Sequence, residues 1–423
     1  MLGTSKGPAE KGSEIPSMKL LIAIPALNEE DGIVGIIERS LEARRYIIEH
    51  SPVTAVDITV VSDGSTDRTV ERALRYKDRI KCIIFPKNRG YGAAIKQAWM
   101  ESDADLLSFL DADGTCEPKF FAPLCRRLIE EEADVVLGCR LNANSKMPVI
   151  RRVGNFIFAS LLSVLSSSRV RDTASGMRVV RRGSLRRIFP LPDGLHFTPS
   201  MSARAMLSEN LKISELDMPY HEREGESKLR VIRDGFRFLK VILEAAFLYR
   251  PMRPLEILSA LSFVAAAALM SSPALFYLRH GSVLEWMIYR FTAANLLGVV
   301  GVLSFSASSL ADRITKIVLF DELGKRRRSR VELFFTMRWF WALPAGLVIA
   351  GGVLIARSFW SLLRTGSVYE HWSRFLVMEF LVSAAIILAI TRLMHYTFDL
   401  LDERLKYWSS SWQYSETATS LNA

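Results

Sequence analysis

The stretch Leu106-Leu107-Ser108-Phe109-Leu110-Asp111-Ala112-Asp113-Gly114 decides how the rest of the chain is read. An apolar run of strand length and composition enters two carboxylates one residue apart and then a glycine. In a parallel α/β sheet, ligands sit in the crevice at the carboxyl ends of the strands, so this pair is expected on that rim. Two carboxylates at the end of a buried strand repel each other unless a cation stands beside them. A hard ion such as Mg²⁺ or Mn²⁺ takes oxygen ligands, keeps part of its water shell and completes it with substrate phosphates. The pair therefore reads as a site for a divalent metal and a diphosphate. The plain alternative is a polar exit from a strand, and a lone Asp-x-Asp does not separate the two.

The surrounding sequence does. Upstream, a buried-strand run at 20–24 stops at Pro25-Ala26-Leu27-Asn28-Glu29-Glu30, and a helix follows over 32–50. A strand at 58–61 ends in Ser62-Asp63-Gly64-Ser65-Thr66-Asp67, where Gly64 permits a tight turn and Asp67 suits the N-cap of a helix over 68–76. A strand at 80–85 leads through Pro86-Lys87-Asn88-Arg89-Gly90-Tyr91-Gly92 into a helix over 93–101. Downstream of the acidic pair come a helix over 118–132 and a strand at 134–138 that exits into Cys139-Arg140. Strands alternating with helices predict an α/β domain with a mostly parallel sheet, and polar residues at every strand exit predict one functional rim.

The chain of 423 residues exceeds one ordinary domain. Its 49% hydrophobic content is unevenly spread: residues 1–253 are mixed and charged, and long uncharged apolar runs follow. The net charge of +10 gathers beside those runs, in 223–253 and in Lys325-Arg326-Arg327-Arg328-Ser329-Arg330. That placement points to anionic lipid headgroups and topology signals, not to nucleic acid. The four cysteines lie in the first half with no Cys-x-x-Cys pair, which reads as reduced thiols and excludes a disulfide frame or zinc site. Residues 1–17 are polar, with glycine and proline and no apolar core, and read as a disordered tail, not a signal peptide.

Four motifs in register, Pro25-Ala26-Leu27-Asn28-Glu29-Glu30, Asp63-Gly64-Ser65-Thr66-Asp67, Asn88-Arg89-Gly90-Tyr91-Gly92 and Asp111-Ala112-Asp113-Gly114, resemble those of an inverting family 2 glycosyltransferase of GT-A fold. Two later stretches, Asp172-Thr173-Ala174-Ser175-Gly176-Met177-Arg178 and Tyr220-His221-Glu222-Arg223-Glu224-Gly225-Glu226-Ser227-Lys228, bring the likeness nearest to the dolichyl- and polyprenyl-phosphate sugar synthases. The resemblance covers about 19–250. It implies a nucleotide-sugar donor, a polyprenyl-phosphate acceptor and Mg²⁺ or Mn²⁺. By that resemblance Asp111 faces nucleotide and metal, Asp113 ligates the metal, and Pro25, Asn28, Glu29 and Asp63 hold the base and ribose. Related synthases often carry glutamine two positions after the second aspartate; here Thr115 stands there, so water or Thr115 fills that ligand position. Arg140, Arg151, Arg178 and Arg223 are the phosphate-clamp candidates, because guanidinium forks match phosphate oxygens. Arg223, Ser227 and Lys228 belong to a loop resembling the family's substrate-closing segment. Asp172 is the later carboxylate expected to act as base, orienter or acceptor-site ligand, and with Asp111, Asp113 and Arg223 it completes the catalytic candidates.

The expected organisation is a tail at 1–17, the GT-A domain at 18–228, an interfacial amphipathic helix and hinge at 229–253, a transmembrane region of about four helices at 254–400 and a cytoplasmic tail at 401–423. In 229–249 apolar residues at helical spacing oppose Arg230, Arg233, Arg237 and Lys240, which suits a helix lying among headgroups. Spans are expected at 257–278, 291–311, 339–356 and 375–391. The connection 313–338 is rich in Lys and Arg and its neighbours are poor, which predicts a catalytic half and C-terminus in the cytoplasm, at a bacterial inner membrane or its equivalent. A homo-oligomer is compatible with this reading. Rival readings are transfer to another membrane lipid, a processive polysaccharide synthase, and a transporter or scaffold with an inactive domain. The second lacks its Gln-x-x-Arg-Trp signature, since Phe335 precedes Arg338-Trp339.

Overall fold

The computed structural model describes residues 18–142, 147–166, 168–208, 210–219, 231–318, 329–367 and 371–420. The expected tail at 1–17 and the basic run 325–328 lie outside them. The chain divides into two compact units, Met1–Leu243 and Glu244–Ala423.

The first unit is built on one mixed sheet. Its strands in chain order are β1 Lys19–Ala26, β2 Ala55–Asp63, β3 Lys81–Phe85, β4 Leu106–Phe109, β5 Val135–Cys139, β6 Arg178–Arg181 and β7 Ile213–Asp217, arranged β3-β2-β1-β4-β6-β5-β7. The five strands expected from the sequence are present, and β1 to β4 pair in parallel. β6 runs antiparallel between β4 and β5, and β7 extends the far edge parallel to β5. The central strands β1, β2, β4 and β5 are buried along nearly their whole length because helices cover both faces. Leu20, Ile22 and Ile24 of β1 join a core with α1 (Ile33–His50) and α4 (Phe121–Glu130). Leu21 and Ala23, pointing the other way, join a core with α3 (Tyr91–Met100) and Phe197, Met201 and Ala205 of α7 (Phe197–Leu207). The short α2 (Thr69–Leu74) has Arg68 and not the expected Asp67 at its N-cap; Asp67 stands one residue earlier, where its Oδ1 accepts from the Thr69 amide at 2.9 Å.

Pro25 sits in a buried strand without leaving a ladder partner empty. β4 stops opposite Ala23, two residues before it, and Leu110 N there donates to Ala23 O at 2.9 Å. Gly64 turns with φ +72°, and a Cβ there would stand 2.4 Å from Asn88 N, so only glycine lets the β2 and β3 exits approach.

Three helices of this unit were not expected: α5 (Val149–Leu165), α6 (Leu185–Ile188) and α7. α5 buries Asn155, Ala159, Leu162 and Leu165 and leaves Val149, Ile150, Val153, Phe156 and Ile157 exposed. The expected amphipathic helix is present as α8 (Val231–Tyr249). Its Phe238 packs edge-on against Phe158 of α5 at 6.0 Å, while Phe236 is exposed.

The second unit is helical. Met252–His280, Glu285–Val318, Ala342–Thr365 and Trp372–Leu405 are long and apolar enough to cross a membrane, and each includes or overlaps one expected span. α9 (Met252–His280) packs on α10 (Ile288–Val318), α10 on the last helix, Trp372–Ser420, and that helix on Ala342–Thr365. Near its end α10 carries a buried ionic network. Arg313 donates through Nη1 to Glu332 Oε1 (3.1 Å) and through Nη2 to Asp399 Oδ1 (2.8 Å) and Asp402 Oδ2 (3.1 Å). Lys316 Nζ reaches Glu332 Oε2 at 2.8 Å and Asp312 Oδ2 at 2.7 Å. Glu332 belongs to the short helix Arg330–Thr336, which the network ties to the two long ones.

Candidate active site

Six strands, β1 to β5 and β7, run in one direction and bring their carboxyl ends to one rim, and the antiparallel β6 brings its beginning there. Phe109, the last residue of β4, pairs with Arg178, the first of β6. Asp111 and Asp113, the 172–178 stretch, Arg140 after β5 and Asp63 at the end of β2 therefore all border the same edge.

Asp111 Oδ1 accepts from the Tyr91 hydroxyl at 2.6 Å. Its other oxygen lies over Gly176, where a Cβ would stand 2.0 Å from Oδ2. Asp113 is buried and accepts at Oδ1 from the Thr115 hydroxyl at 2.7 Å and the Thr115 amide at 3.2 Å. Thr115 thus orients Asp113. Asp111 and Asp113 act on the same neighbours. Burial and then Asp111 push the Tyr91 phenol well above its ordinary value, with Asp113 adding to the effect. Burial chiefly, with both carboxylates contributing, drives the Cys116 thiol up to about 12, while Arg140 opposes them.

Asp172 is fully buried and saturated by donors. It accepts from Arg140 Nε (2.7 Å), Arg140 Nη2 (2.9 Å), the Arg140 amide (3.0 Å) and Asn155 Nδ2 (2.7 Å). Burial alone would raise its pKa; the Arg140 charge and these hydrogen bonds outweigh it and hold the carboxyl below its usual range. Arg178 is buried too. It donates from Nε to Ser175 O (3.0 Å), from Nη1 to Ser202 Oγ (2.9 Å) and from Nη2 to Thr173 O (3.0 Å), so the fork braces its own loop. Burial lowers its pKa to about 10, against the pull of Asp172, Tyr91 and Asp111.

Asp63 is buried and binds the next exit loop: Oδ1 accepts from Arg89 N at 2.6 Å and Oδ2 from Gly90 N at 2.9 Å. Asn28, at φ +49°, accepts from Thr66 N through Oδ1 at 2.8 Å, and Glu29 N donates to Thr69 Oγ1 at 2.8 Å. Pro25 is buried beneath them. Arg151 stands half-buried in the first turn of α5. Asp111, Asp113 and Arg140 all act on Cys116, and Asp172, Asp111 and Arg140 on Arg178. Asp63 and Asn28 border the same rim on β2 and β1. Arg223, Ser227 and Lys228 lie outside the described residues.

Sequence reading overlooked Tyr91 and Gly176 as contacts of Asp111. Both stood inside recognised motifs; the β4–β6 pairing brings the Gly176 loop to Asp111, and the start of α3 brings Tyr91 there. Among the described residues no group of three or more His, Cys, Asp or Glu side chains converges as a metal cage. A pair of hard carboxylate oxygens on a rim still fits Mg²⁺ or Mn²⁺, which leave most of their shell to water and phosphate oxygens.

An α/β sheet with an acidic pair and arginines at its ligand-binding rim is the frame of an enzyme domain with room for a metal ion and phosphate oxygens. The chain belongs to glycosyl transferase family 2, whose sequence profile matches residues 21–189. A dolichyl-phosphate hexose transferase of Haloferax volcanii is 31% identical over 234 residues, 53% of this chain and 92% of that protein. A low-salt glycan biosynthesis hexosyltransferase, Agl6, of the same organism is 32% identical over 228 residues, 53% of each, so the match spans about half of that relative's length. Glucosyl-3-phosphoglycerate synthase from Mycobacterium tuberculosis, solved with Mn²⁺, UDP and phosphoglyceric acid, is 19% identical, with TM-score 0.44 over 54% of this chain and 78% of that one.

Proposed function

We propose that the chain is a membrane-bound inverting glycosyltransferase that moves a sugar from a UDP- or GDP-sugar to a polyprenyl phosphate on the cytoplasmic face. The observation that carries this reading is the Asp111–Asp113 pair, at the exit of β4, sharing its surroundings with Arg140 and Arg178 in a family 2 unit. Support for the acceptor comes from the dolichyl-phosphate hexose transferase of H. volcanii, which this chain matches over 92% of its length, and from four helices of membrane-crossing length.

In this reading Asp111 and Asp113 hold Mg²⁺ or Mn²⁺, and Asn28, Glu29 and Asp63 form the nucleoside end over Pro25. The ion, when bound, offsets the charge that grows on the leaving diphosphate as the glycosidic bond breaks. A polyprenyl phosphate has a second pKa near ~6, so at neutral pH its oxygen is already an anionic nucleophile and positioning replaces a strong base. Its oxygen bonds to the anomeric carbon as the bond to the nucleoside diphosphate breaks on the opposite face. Asp172 then serves as orienter: it fixes the Arg140 guanidinium by two side-chain hydrogen bonds. Arg151 and Arg223, with Ser227 and Lys228, complete the acceptor arm, and Arg178 braces the wall behind it.

The test uses the full chain in lipid with radiolabelled UDP- and GDP-sugars. Sugar should pass to the lipid extract only when polyprenyl phosphate is present. Transfer to diacylglycerol in its absence overturns the acceptor assignment. Asp113→Asn should lower transfer by more than roughly a hundredfold, beyond the loss expected from an outer-shell partner of a metal, while the protein still inserts. Unchanged transfer would remove the metal site.

A further inference from the structure

We propose that Tyr91 and Gly176 form a clamp that sets the orientation of the Asp111 carboxylate before metal and diphosphate arrive. This inference rests on the reading of Asp111 and Asp113 as metal ligands and assigns their positioning residues.

The clamp has two unlike jaws. On one side the Tyr91 hydroxyl donates to Asp111 Oδ1 at 2.6 Å. Its ring has little room to turn, because Phe109 and Phe197 meet it edge-on at 6.3 and 6.4 Å. The backbone leading into Tyr91 is itself tied down, since Asp63 accepts from the amides of Arg89 and Gly90. On the other side the carboxylate occupies the space where residue 176 has no side chain: a Cβ there would stand 2.0 Å from Asp111 Oδ2 and 2.8 Å from Cγ. The loop carrying Gly176 is fixed by the three Arg178 bonds to Ser175, Thr173 and Ser202. Asp113 has its own holder in the Thr115 hydroxyl. Each carboxylate of the pair therefore has one oxygen tied by a protein hydroxyl, and Asp111 has the second fitted to a glycine. A ligand held in one rotamer loses no side-chain freedom when the ion binds.

Gly176 does not stand in the left-handed region, so its backbone admits alanine; what it lacks is room. The atom in the way is the end of a short side chain, so the alanine would displace Asp111 and leave the strands in place. Tyr91→Phe keeps the ring packed against Phe109 and Phe197 and removes only the hydroxyl.

The experiment measures Mn²⁺ binding to the full chain in detergent by electron paramagnetic resonance, with UDP and with GDP, for wild type, Tyr91→Phe, Gly176→Ala and Asp113→Asn. Thermal unfolding is followed in parallel. Tyr91→Phe is expected to weaken Mn²⁺ binding roughly ten- to a hundredfold, the usual loss for an outer-shell partner, and Gly176→Ala at least as much, with unfolding temperatures close to the wild type's. If Asp113→Asn loses Mn²⁺ while Tyr91→Phe and Gly176→Ala bind it as the wild type does, the clamp is wrong and the metal site stands. If Asp113→Asn and wild type bind alike, the metal reading itself falls. Should Gly176→Ala fail to fold, unchanged binding by Tyr91→Phe alone overturns the clamp.

Discussion

Asp172 and Arg178 are charges with almost no water around them, and each is made tolerable by named partners. For Asp172 those partners are the Arg140 guanidinium, Asn155 and the backbone amides of Arg140 and Ala174, and removing the carboxylate would leave the Arg140 fork beside a cavity. Breaking a buried pair by deleting one member costs about 3–5 kcal/mol. Asp172→Ala should therefore lower the unfolding temperature of the first unit well beyond what a surface change does. The pH dependence has a definite sign. The folded carboxyl titrates below its unfolded value of about 3.9. Its contribution is thus complete above that value and fades as pH falls through the lower, folded one. Wild-type stability should drop across that acid window, and the drop should be shallower in Asp172→Ala, as read by thermal unfolding between neutral and acid pH. The sequence marked Asp172 as functional and left its role open among base, orienter and acceptor ligand. Its partner Arg140 lies 32 residues away, and nothing local in the chain announces that pairing. The Asp-x-Asp pair was legible because strand and carboxylates are contiguous; Tyr91 and Gly176 were not, because they reach Asp111 through tertiary pairing.

Among the elements, the parallel strands were readable from their uninterrupted apolar runs, which burial on both faces demands. β6 and β7 were not: Arg178–Arg181 holds only two apolar residues, and Ile213–Asp217 alternates weakly at a sheet edge. α5 carried a visible signal in Val149, Ile150, Val153, Phe156 and Ile157 at helical spacing, obscured by Gly154. Its apolar residues face outward as well as inward, which a helix bordered only by water avoids. If the chain works at a bilayer as proposed, such a stripe with Arg151 and Arg152 beside it suits the headgroup boundary. Burying one phenylalanine is worth ~1.5–3 kcal/mol. Phe156→Glu should accordingly raise the KM for polyprenyl phosphate about tenfold with the KM for the nucleotide sugar unchanged. Parallel rises in both would deny α5 a lipid-facing part.

At the scale of the molecule, the proposed topology places the first unit on the cytoplasmic side and the connection between α9 and α10 outside. Cysteines introduced at Lys77 and Ser282, both exposed, test it directly. An impermeant thiol reagent added to intact cells should label Ser282→Cys and spare Lys77→Cys until the membrane is opened; the reverse pattern inverts the orientation. The helical half was legible as four apolar stretches, whereas its ionic network was not, since its members are scattered along three helices. That network constrains biogenesis. Asp399 and Asp402 follow Arg313 by 86 and 89 residues, so α10 leaves the ribosome well before two of the three carboxylates that hold its guanidinium; Glu332, 19 residues on, comes first. At a synthesis rate of roughly 5–20 residues per second the wait lasts several seconds. The final helix thus completes the assembly, and a nascent chain halted before residue 399 would present to membrane quality control an arginine held by Glu332 alone, a carboxylate it shares with Lys316.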